Sequence, residues 1–456
     1  MVALVEKLFV NFCAVAMSIN ESIAGKIHVV FLAWGFPPSR GSGVYRALFT
    51  ANFLAEEGYR VTVITPEERI WNHYYGEDLS LIKKIDPRIN VVRIPFSWDS
   101  GEIDVRKFGL FRAYQPYLWA RYSYLKERLL YPEVVYGPWG RELSKALVNI
   151  GKTQRVDLLL ATANPNISSV AAWKFSTRKK IPYIVDYRDA WTLNVFTGER
   201  AHSIWSRQAR VEKKVFRDAA EIWFVNEAIA EWHKKQYPNE ANRMKVVSNG
   251  WDYDLSEVNQ ISKNSYLTFG YIGTISNQVP LGDFLNAWIN VMEKNPQFSN
   301  NRVEFYGYLG FYKGSNGLHY SLLEQAQKYN VSFQGPLEKE KLAAAYSNFD
   351  CCLLLLASGK YVTSGKVYEY VSTTLPILAI HEPTNAATLV LRNHPATIKT
   401  KGMEIEQIEE AILEAFHKVA SMKACSVSIG RIFAQDFSRV EQLKPRVKHF
   451  RKIVDD

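Results

Sequence analysis

The sequence predicts an α/β protein of two tandem Rossmann-like, doubly wound domains with a cleft between them. Three observations predict it. Short apolar runs alternate with stretches of helical spacing from Lys26 to about residue 251, and again from about residue 266 to 430. The two series are separated by "DYDLSEVNQISKNS", residues 252–265, which is polar, lacks apolar periodicity and reads as a linker. The length of 456 residues suits two or three domains of roughly 150 residues each.

The elements follow in order. "KIHVVFLAW" is a buried strand, and "GVYRALFTANFLAEEG" is a helix with apolar residues at Val44, Leu48, Phe53 and Leu54 that stops at Gly58. "YRVTVIT" and "NVVRIPF" are the next strands. "VDLLLAT", a helix near 166–179, "IPYIVDY", a helix near 204–219, "EIWFV" and "KVVSNG" complete the first series. "LTFGYIG", "RVEFYG", "VSFQG", "FDCCLLLL" and "LPILAI", each separated by a helix, form the second. Short apolar strands between helices imply parallel βαβ units with both sheet faces covered. Residues 431–456 read as a final helix, interrupted near Pro445, that crosses back to the first domain.

Composition narrows the function classes. The apolar fraction of 47% and charged fraction of 22% are those of a folded domain protein, and no apolar run reaches the roughly 20 residues that span a bilayer. A net charge of +10 favours anionic partners, but no arginine-rich tail or nucleic-acid motif is present, so nucleic acid is not expected. The four cysteines (Cys13, Cys351, Cys352, Cys425) lack metal-ligand spacing and suit a reducing cytosol; the nine histidines form no HxxH or HExxH pair, so no metal is expected. Residues 1–25 are expected to be an extension before the first domain. Residues 102–142 are rich in Arg, Tyr, Trp and Phe and allow two readings: a helical excursion packing its rings inside the domain, or an interfacial surface beside a lipid-linked acceptor.

Several stretches carry chemistry. "SGKVYEY" opens a helix after a strand, so Ser364, Gly365 and Lys366 can offer backbone N–H groups and a cation to a phosphate. Glu369 lies one turn on, on the same face, where a carboxylate can accept from a ribose diol; the alternative is a capped helix with a surface ion pair. Gly41-Ser42-Gly43 opens the first helix and can cradle a diphosphate, with Arg46 beyond it as an ion-pair residue. Gly273 and Thr274 end the first strand of the second series; Gln334 and Gly335 end another. "VDYRDAWTLN" places Asp186, Arg188 and Asp189 at a strand's carboxyl end, either a salt-bridge cluster or part of a ligand site.

These motifs, in this order, resemble the GT-B glycosyltransferases, specifically the retaining family-4-like group and a bacterial branch with a "DfRDpW"-type segment. "FPPSRGSGVYRALFTANFLAEEGYRVTVIT", "IPYIVDYRDAWTLN", "VSNGWD", "FGYIGTI" and "SGKVYEYVSTTLPILAI" carry the similarity, which runs from about residue 28 to 445. The resemblance implies a nucleotide diphosphate sugar as co-substrate, with no cofactor and no metal. It implies that Glu369 holds the ribose and that Ser364, Gly365 and Lys366 meet the diphosphate, with Gly273 and Thr274 opposite. Gln334 and Gly335 would lie near the base, and Gly43 would approach the diphosphate from the other domain. Arg188 and Asp189 are the expected catalytic pair, with Asp189 orienting sugar or acceptor. The sequence departs from the pattern at Tyr361, where many relatives carry the first glutamate of a Glu-x7-Glu pair.

The expected activity is retaining transfer of a hexosyl group to an acceptor hydroxyl, in surface polysaccharide or glycolipid assembly. The expected partners are a sugar-nucleotide donor and a saccharide or lipid-linked acceptor, in the cytoplasm with a peripheral contact at the inner face of the membrane. A nucleotide-sugar 2-epimerase and a non-catalytic sugar-nucleotide binder are the alternatives.

Overall fold

The computed structural model describes residues 26–41, 43–96, 101–102, 104–251, 265–310, 317–338 and 341–456, with only the backbone described at 74–75 and 420–429. The expected extension at 1–25, Ser42 of the glycine loop and the linker up to residue 264 lie outside the described residues.

Among the described residues the strands form two parallel sheets. The first contains β1 (His28–Leu32), β2 (Arg60–Pro66), β3 (Asn90–Ile94), β4 (Leu158–Thr162), β5 (Tyr183–Tyr187), β6 (Glu221–Phe224) and β7 (Met244–Val246), in the order 3-2-1-4-5-6-7. The second contains β8 (Thr268–Ile272), β9 (Arg302–Tyr306), β10 (Val331–Gly335), β11 (Cys351–Leu355), β12 (Ile377–Ile380) and β13 (Thr397–Lys399), in the order 10-9-8-11-12-13. Every residue of β1 and of β11 is buried, as strands covered on both faces require. In both sheets the strand order reverses beside the first strand, and ligands of such sheets bind beyond the carboxyl ends of the strands at that point. The expected α/β class is therefore the observed one.

The helices are α1 (Gly43–Glu56), α2 (Leu110–Tyr114), α3 (Pro116–Leu130), α4 (Gly137–Thr153), α5 (Ile167–Lys179), α6 (Arg207–Asp218) and α7 (Glu227–Gln236). They continue with α8 (Leu281–Lys294), α9 (Gly317–Ala326), α10 (Leu342–Ser347), α11 (Gly365–Ser372), α12 (Ala387–Val390), α13 (Ile405–Gln435), α14 (Arg439–Val447) and α15 (Phe450–Asp455). In α1, Val44, Ala47, Leu48, Ala51 and Leu54 are buried at helical spacing, and the chain leaves through Gly58 at φ +87° as expected. The final helix is interrupted near Pro445 as expected: Pro445 sits inside α14 and the break falls two residues later, while residues 431–435 belong to α13.

Contacts group the chain into two units: Met1–Asp186, Lys214–Ile222 and Val447–Asp456 in one, and Tyr187–Lys213 with Trp223–Arg446 in the other. In the first unit Trp34, just beyond β1, meets Trp71, Phe96, Tyr136 and Trp139 edge-on at centroid distances of 4.8–5.6 Å. Each such pair contributes about 0.5–1.5 kcal/mol beyond area burial. The α15 segment belongs to this unit, where Phe450 packs on Tyr59 and the Tyr59 hydroxyl donates to the Val447 carbonyl at 3.0 Å. The second unit has its core where Phe269, Trp288 and Phe416 meet at 5.5–5.7 Å.

One half-buried carboxylate in the first unit gives a pH dependence. Glu133 accepts from the backbone N–H of Asn166 (3.2 Å) and Ile167 (2.6 Å), at the start of α5. Desolvation pushes its carboxyl up to about 7, and these two hydrogen bonds only partly offset that. The folded state therefore holds its proton more tightly than the unfolded chain. The associated stability is fully present below pH 4.5 and is lost as pH rises toward 7, a change of about 3 kcal/mol. Glu133→Gln is expected to narrow the difference in unfolding free energy between pH 5 and pH 8 by about 2–3 kcal/mol in urea titrations. An unchanged difference contradicts this assignment.

Candidate active site

In the second unit, α11 starts directly beyond the loop that leaves β11. Ser364 is its N-cap, extended at φ −86° and ψ 144°, and its Oγ accepts from the Lys366 N–H at 3.3 Å. Gly365 is exposed, and the space a β-carbon would take there is open. A helix start with open space over it is a place where an anion can approach the backbone.

Lys366 does not point away from this site. Its ammonium lies 5.0 Å from the centre of the Tyr271 ring, and its stem runs across Gly273. A β-carbon at 273 would fall 2.0 Å from Lys366 Cε, and Gly273 has φ +143°, so only glycine serves there. Gly307, at the end of β9 with φ +132°, lets the two strand ends close up: a β-carbon there would fall 2.1 Å from the Gly273 carbonyl oxygen. The Tyr271 hydroxyl donates to the Thr274 carbonyl at 3.0 Å, fixing the turn.

Glu369 follows one turn along α11 and is half-buried. Its Oε1 accepts from the Tyr346 hydroxyl at 2.5 Å. Burial, with the Glu369 charge beside it, pushes the Tyr346 hydroxyl pKa well up, so it remains a donor. That hydrogen bond holds the carboxylate in one direction on α11. Next along the helix, Tyr370 accepts from the Ile272 N–H at 2.9 Å and locks α11 to β8. Gln334 is exposed at the end of β10, its amide donating to Ser332 Oγ at 3.1 Å, and Gly335 has open space and φ +77°.

The loop carrying Arg188 and Asp189 also belongs to the second unit. Asp189 is exposed, and Arg188 pairs with it at 3.4 Å. The loop hangs on Glu212 of α6, which is buried and accepts from the hydroxyls of Tyr187, Thr192 (2.5 Å) and Tyr237 (2.6 Å). The Tyr187 oxygen in turn accepts from the Trp191 N–H at 2.6 Å. Burial raises the Glu212 carboxyl pKa, which the three hydroxyl donors partly offset.

The loop before α11 is anchored by Asn226, whose amide donates to the Tyr361 carbonyl (3.0 Å) and to Thr363 Oγ1 (2.9 Å). Tyr361 itself packs its ring over Gly198. Of "VSNGWD", Gly250 takes φ +62° beneath the Phe437 carbonyl and Trp251 Nε1 donates to the Ala434 carbonyl at 2.7 Å, while Asp252 lies outside the described residues.

In the first unit, Gly43 opens α1 as expected. Asp186 is not part of the Arg188–Asp189 group. Both its oxygens accept from the Arg46 guanidinium at 2.6–3.1 Å, and the two side chains are only 4–7% exposed. The pair ties the start of α1 to the end of β5. Tyr346, Gly307 and Glu212 had no place in the sequence expectations. Gly307 repeats the strand-then-glycine pattern of Gly273, and Glu212 shares a helix face with Ala209, Val215 and Phe216, which was the available sign.

Among the described residues, no three His, Cys, Asp or Glu side chains gather into a metal site, and no helix is long and apolar enough to cross a membrane.

The family model described as a glycosyl transferase 4-like domain matches residues 41–250. No curated protein matches the chain. Among solved structures, a glycosyltransferase from Rickettsia africae is 10% identical, covering 95% of this chain and 100% of its own, with a TM-score of 0.64. The sucrose-phosphate synthase of Thermosynechococcus elongatus is 14% identical over 94% of this chain and 100% of its own, with a TM-score of 0.62. Anabaena HepE, solved in complex with UDP and glucose, is 14% identical over 93% of this chain and 99% of its own, with a TM-score of 0.60. The fold they share with this chain is GT-B.

Proposed function

We propose that this chain, a GT-B protein of the glycosyl transferase 4-like family over residues 41–250, moves a hexosyl group from a nucleoside diphosphate sugar to an acceptor hydroxyl with retention at the anomeric carbon. The observation that carries this is the arrangement on α11: Lys366 over Gly273 at the helix start, and Glu369 one turn on, aimed by the Tyr346 hydroxyl. A diphosphate and a ribose diol are spaced about one helical turn apart, which this pair matches.

Each residue then has a role. The α11 backbone, Ser364 and Lys366 bind the diphosphate and stabilise the negative charge that grows on it as the glycosidic bond breaks. Gly273 and Thr274 form the facing wall, and Glu369 accepts from the ribose hydroxyls. Gln334 and Gly335 border the base. Gly43 offers a second glycine-opened helix start suited to phosphate. Arg188 and Asp189 orient the sugar or the acceptor, on a loop kept in place by Glu212. The departing phosphate takes the acceptor proton, so the scheme needs no protein nucleophile, metal or cofactor. Work at the cytoplasmic face of a membrane, in polysaccharide or glycolipid assembly, suits such a donor. The Anabaena HepE complexes with UDP, and with UDP-glucose, support the donor class.

A thermal-shift screen with UDP-, GDP- and TDP-sugars tests the donor. At least one is expected to raise the melting temperature with concentration, since at a hundred times its Kd a ligand stabilises by about 2.7 kcal/mol. If none does, the proposal fails. Turnover of the stabilising donor without any acceptor would instead favour an epimerase. Binding without turnover across an acceptor panel would favour a non-catalytic binder, the reading that Tyr361 at the first-glutamate position supports.

A further inference from the structure

The aromatic and basic segment divides between its two expected readings. Tyr136 and Trp139 pack inside against Trp34, but α2 and α3 bury no residue at all. On α3, Leu118, Tyr122, Leu125 and Leu129 recur at i, i+4, i+7 and i+11, which places them on one face, and they are 48–79% exposed. Leu110 and Tyr114 of α2 extend the patch at 77% and 78% exposure, with Phe111 packed on Tyr122. A patch of this kind on a folded protein marks a binding surface.

Charge selects the occupant. Residues 110–130 hold four basic side chains, Arg112, Arg121, Lys126 and Arg128, against one acidic, Glu127. At helical spacing Arg121 and Arg128 flank one side of the apolar face and Lys126 the other. Glu127 is turned inward, accepting from the Val135 N–H at 2.6 Å. A second copy of this face would bring like charges together, whereas lipid phosphates would meet the cations while the acyl boundary takes the leucines and tyrosines. The 15 residues of α3 extend about 22 Å, too short to span a bilayer and suited to lying along its surface.

We propose that the outer face of α2 and α3 seats the first unit on an anionic lipid bilayer. This deepens the functional proposal by naming the partner surface. The segment is bolted to the carboxyl end of the first sheet, since Tyr136 packs on Trp34 just after β1 and Glu133 holds the start of α5 just after β4. A lipid-linked acceptor in that bilayer would therefore lie beside the end of the sheet where ligands bind.

Flotation of the full chain with vesicles, in the absence of any sugar nucleotide, tests this independently of donor binding. The chain is expected to partition about tenfold or more onto phosphatidylcholine vesicles containing one quarter phosphatidylglycerol than onto pure phosphatidylcholine, with the difference falling at high salt. Leu118→Ser/Leu125→Ser/Leu129→Ser should lose about tenfold in binding to the anionic vesicles, and Arg121→Gln/Lys126→Gln/Arg128→Gln should lose the preference for anionic lipid. Both variants change exposed positions, so their melting temperatures should match the parent. Equal partition of parent and variants, or no binding to anionic vesicles, overturns the proposal. So does a parent that ignores vesicles but is oligomeric in light scattering and becomes monomeric in the leucine variant. A failed donor screen with intact vesicle binding would leave this inference standing.

Discussion

Replacing Lys366 with alanine is expected to weaken nucleoside diphosphate binding about tenfold or more. A charge-assisted hydrogen bond to phosphate contributes about 1.5–3 kcal/mol, and Lys366, at the start of α11, has its stem laid across Gly273. The position is enforced from below. The flat surface of Gly273 and the face of the Tyr271 ring give the lysine stem its track, and Gly307 lets that surface sit close to β9. Gly273→Ala should therefore weaken the same ligand, because its β-carbon would occupy the place of Lys366 Cε. Isothermal titration with UDP or GDP, whichever stabilises the chain, provides the measurement. An affinity for Lys366→Ala within twofold of the parent would remove Lys366 from the site.

The second large effect lies in the first unit. Asp186→Ala is expected to destabilise the protein by about 3–5 kcal/mol, because the Arg46 guanidinium, 7% exposed, would stay buried without the carboxylate that two of its nitrogens grip. The pair itself is not a large net source of stability; the cost comes from leaving one charge behind. The double variant Arg46→Met/Asp186→Leu should therefore recover most of the loss, as apolar replacements of buried pairs commonly do. Urea unfolding of both variants separates these terms. A loss under about 1 kcal/mol for Asp186→Ala would mean that water or the other groups around the guanidinium suffice to hold its charge.

Much of the arrangement around the start of α11 was legible because it depends on local order. A strand, a glycine and a helix start are adjacent in sequence at Gly273 and at Ser364–Lys366, and the periodicity that announces strand and helix also says where the turn falls. The contacts that aim these groups were not legible, because they join residues far apart. Tyr346 reaches Glu369 from 23 positions away, Tyr370 reaches Ile272 from 98, and Arg46 reaches Asp186 from 140. The Asp186-Arg188-Asp189 cluster misled for the same reason. Alternation along β5 sends Asp186 to a helix that sequence distance concealed, while Arg188 and Asp189 lie past the strand's end. In residues 102–142, composition alone allowed both buried and exposed rings, and the two occur in adjacent helices.

Crystals of the full chain soaked with the stabilising sugar nucleotide would locate its pyrophosphate. Pyrophosphate density is expected at the amino end of α11, within hydrogen-bonding distance of Ser364, Gly365 and Lys366, with the ribose on Glu369. A nucleotide bound elsewhere, with the start of α11 empty, would contradict it.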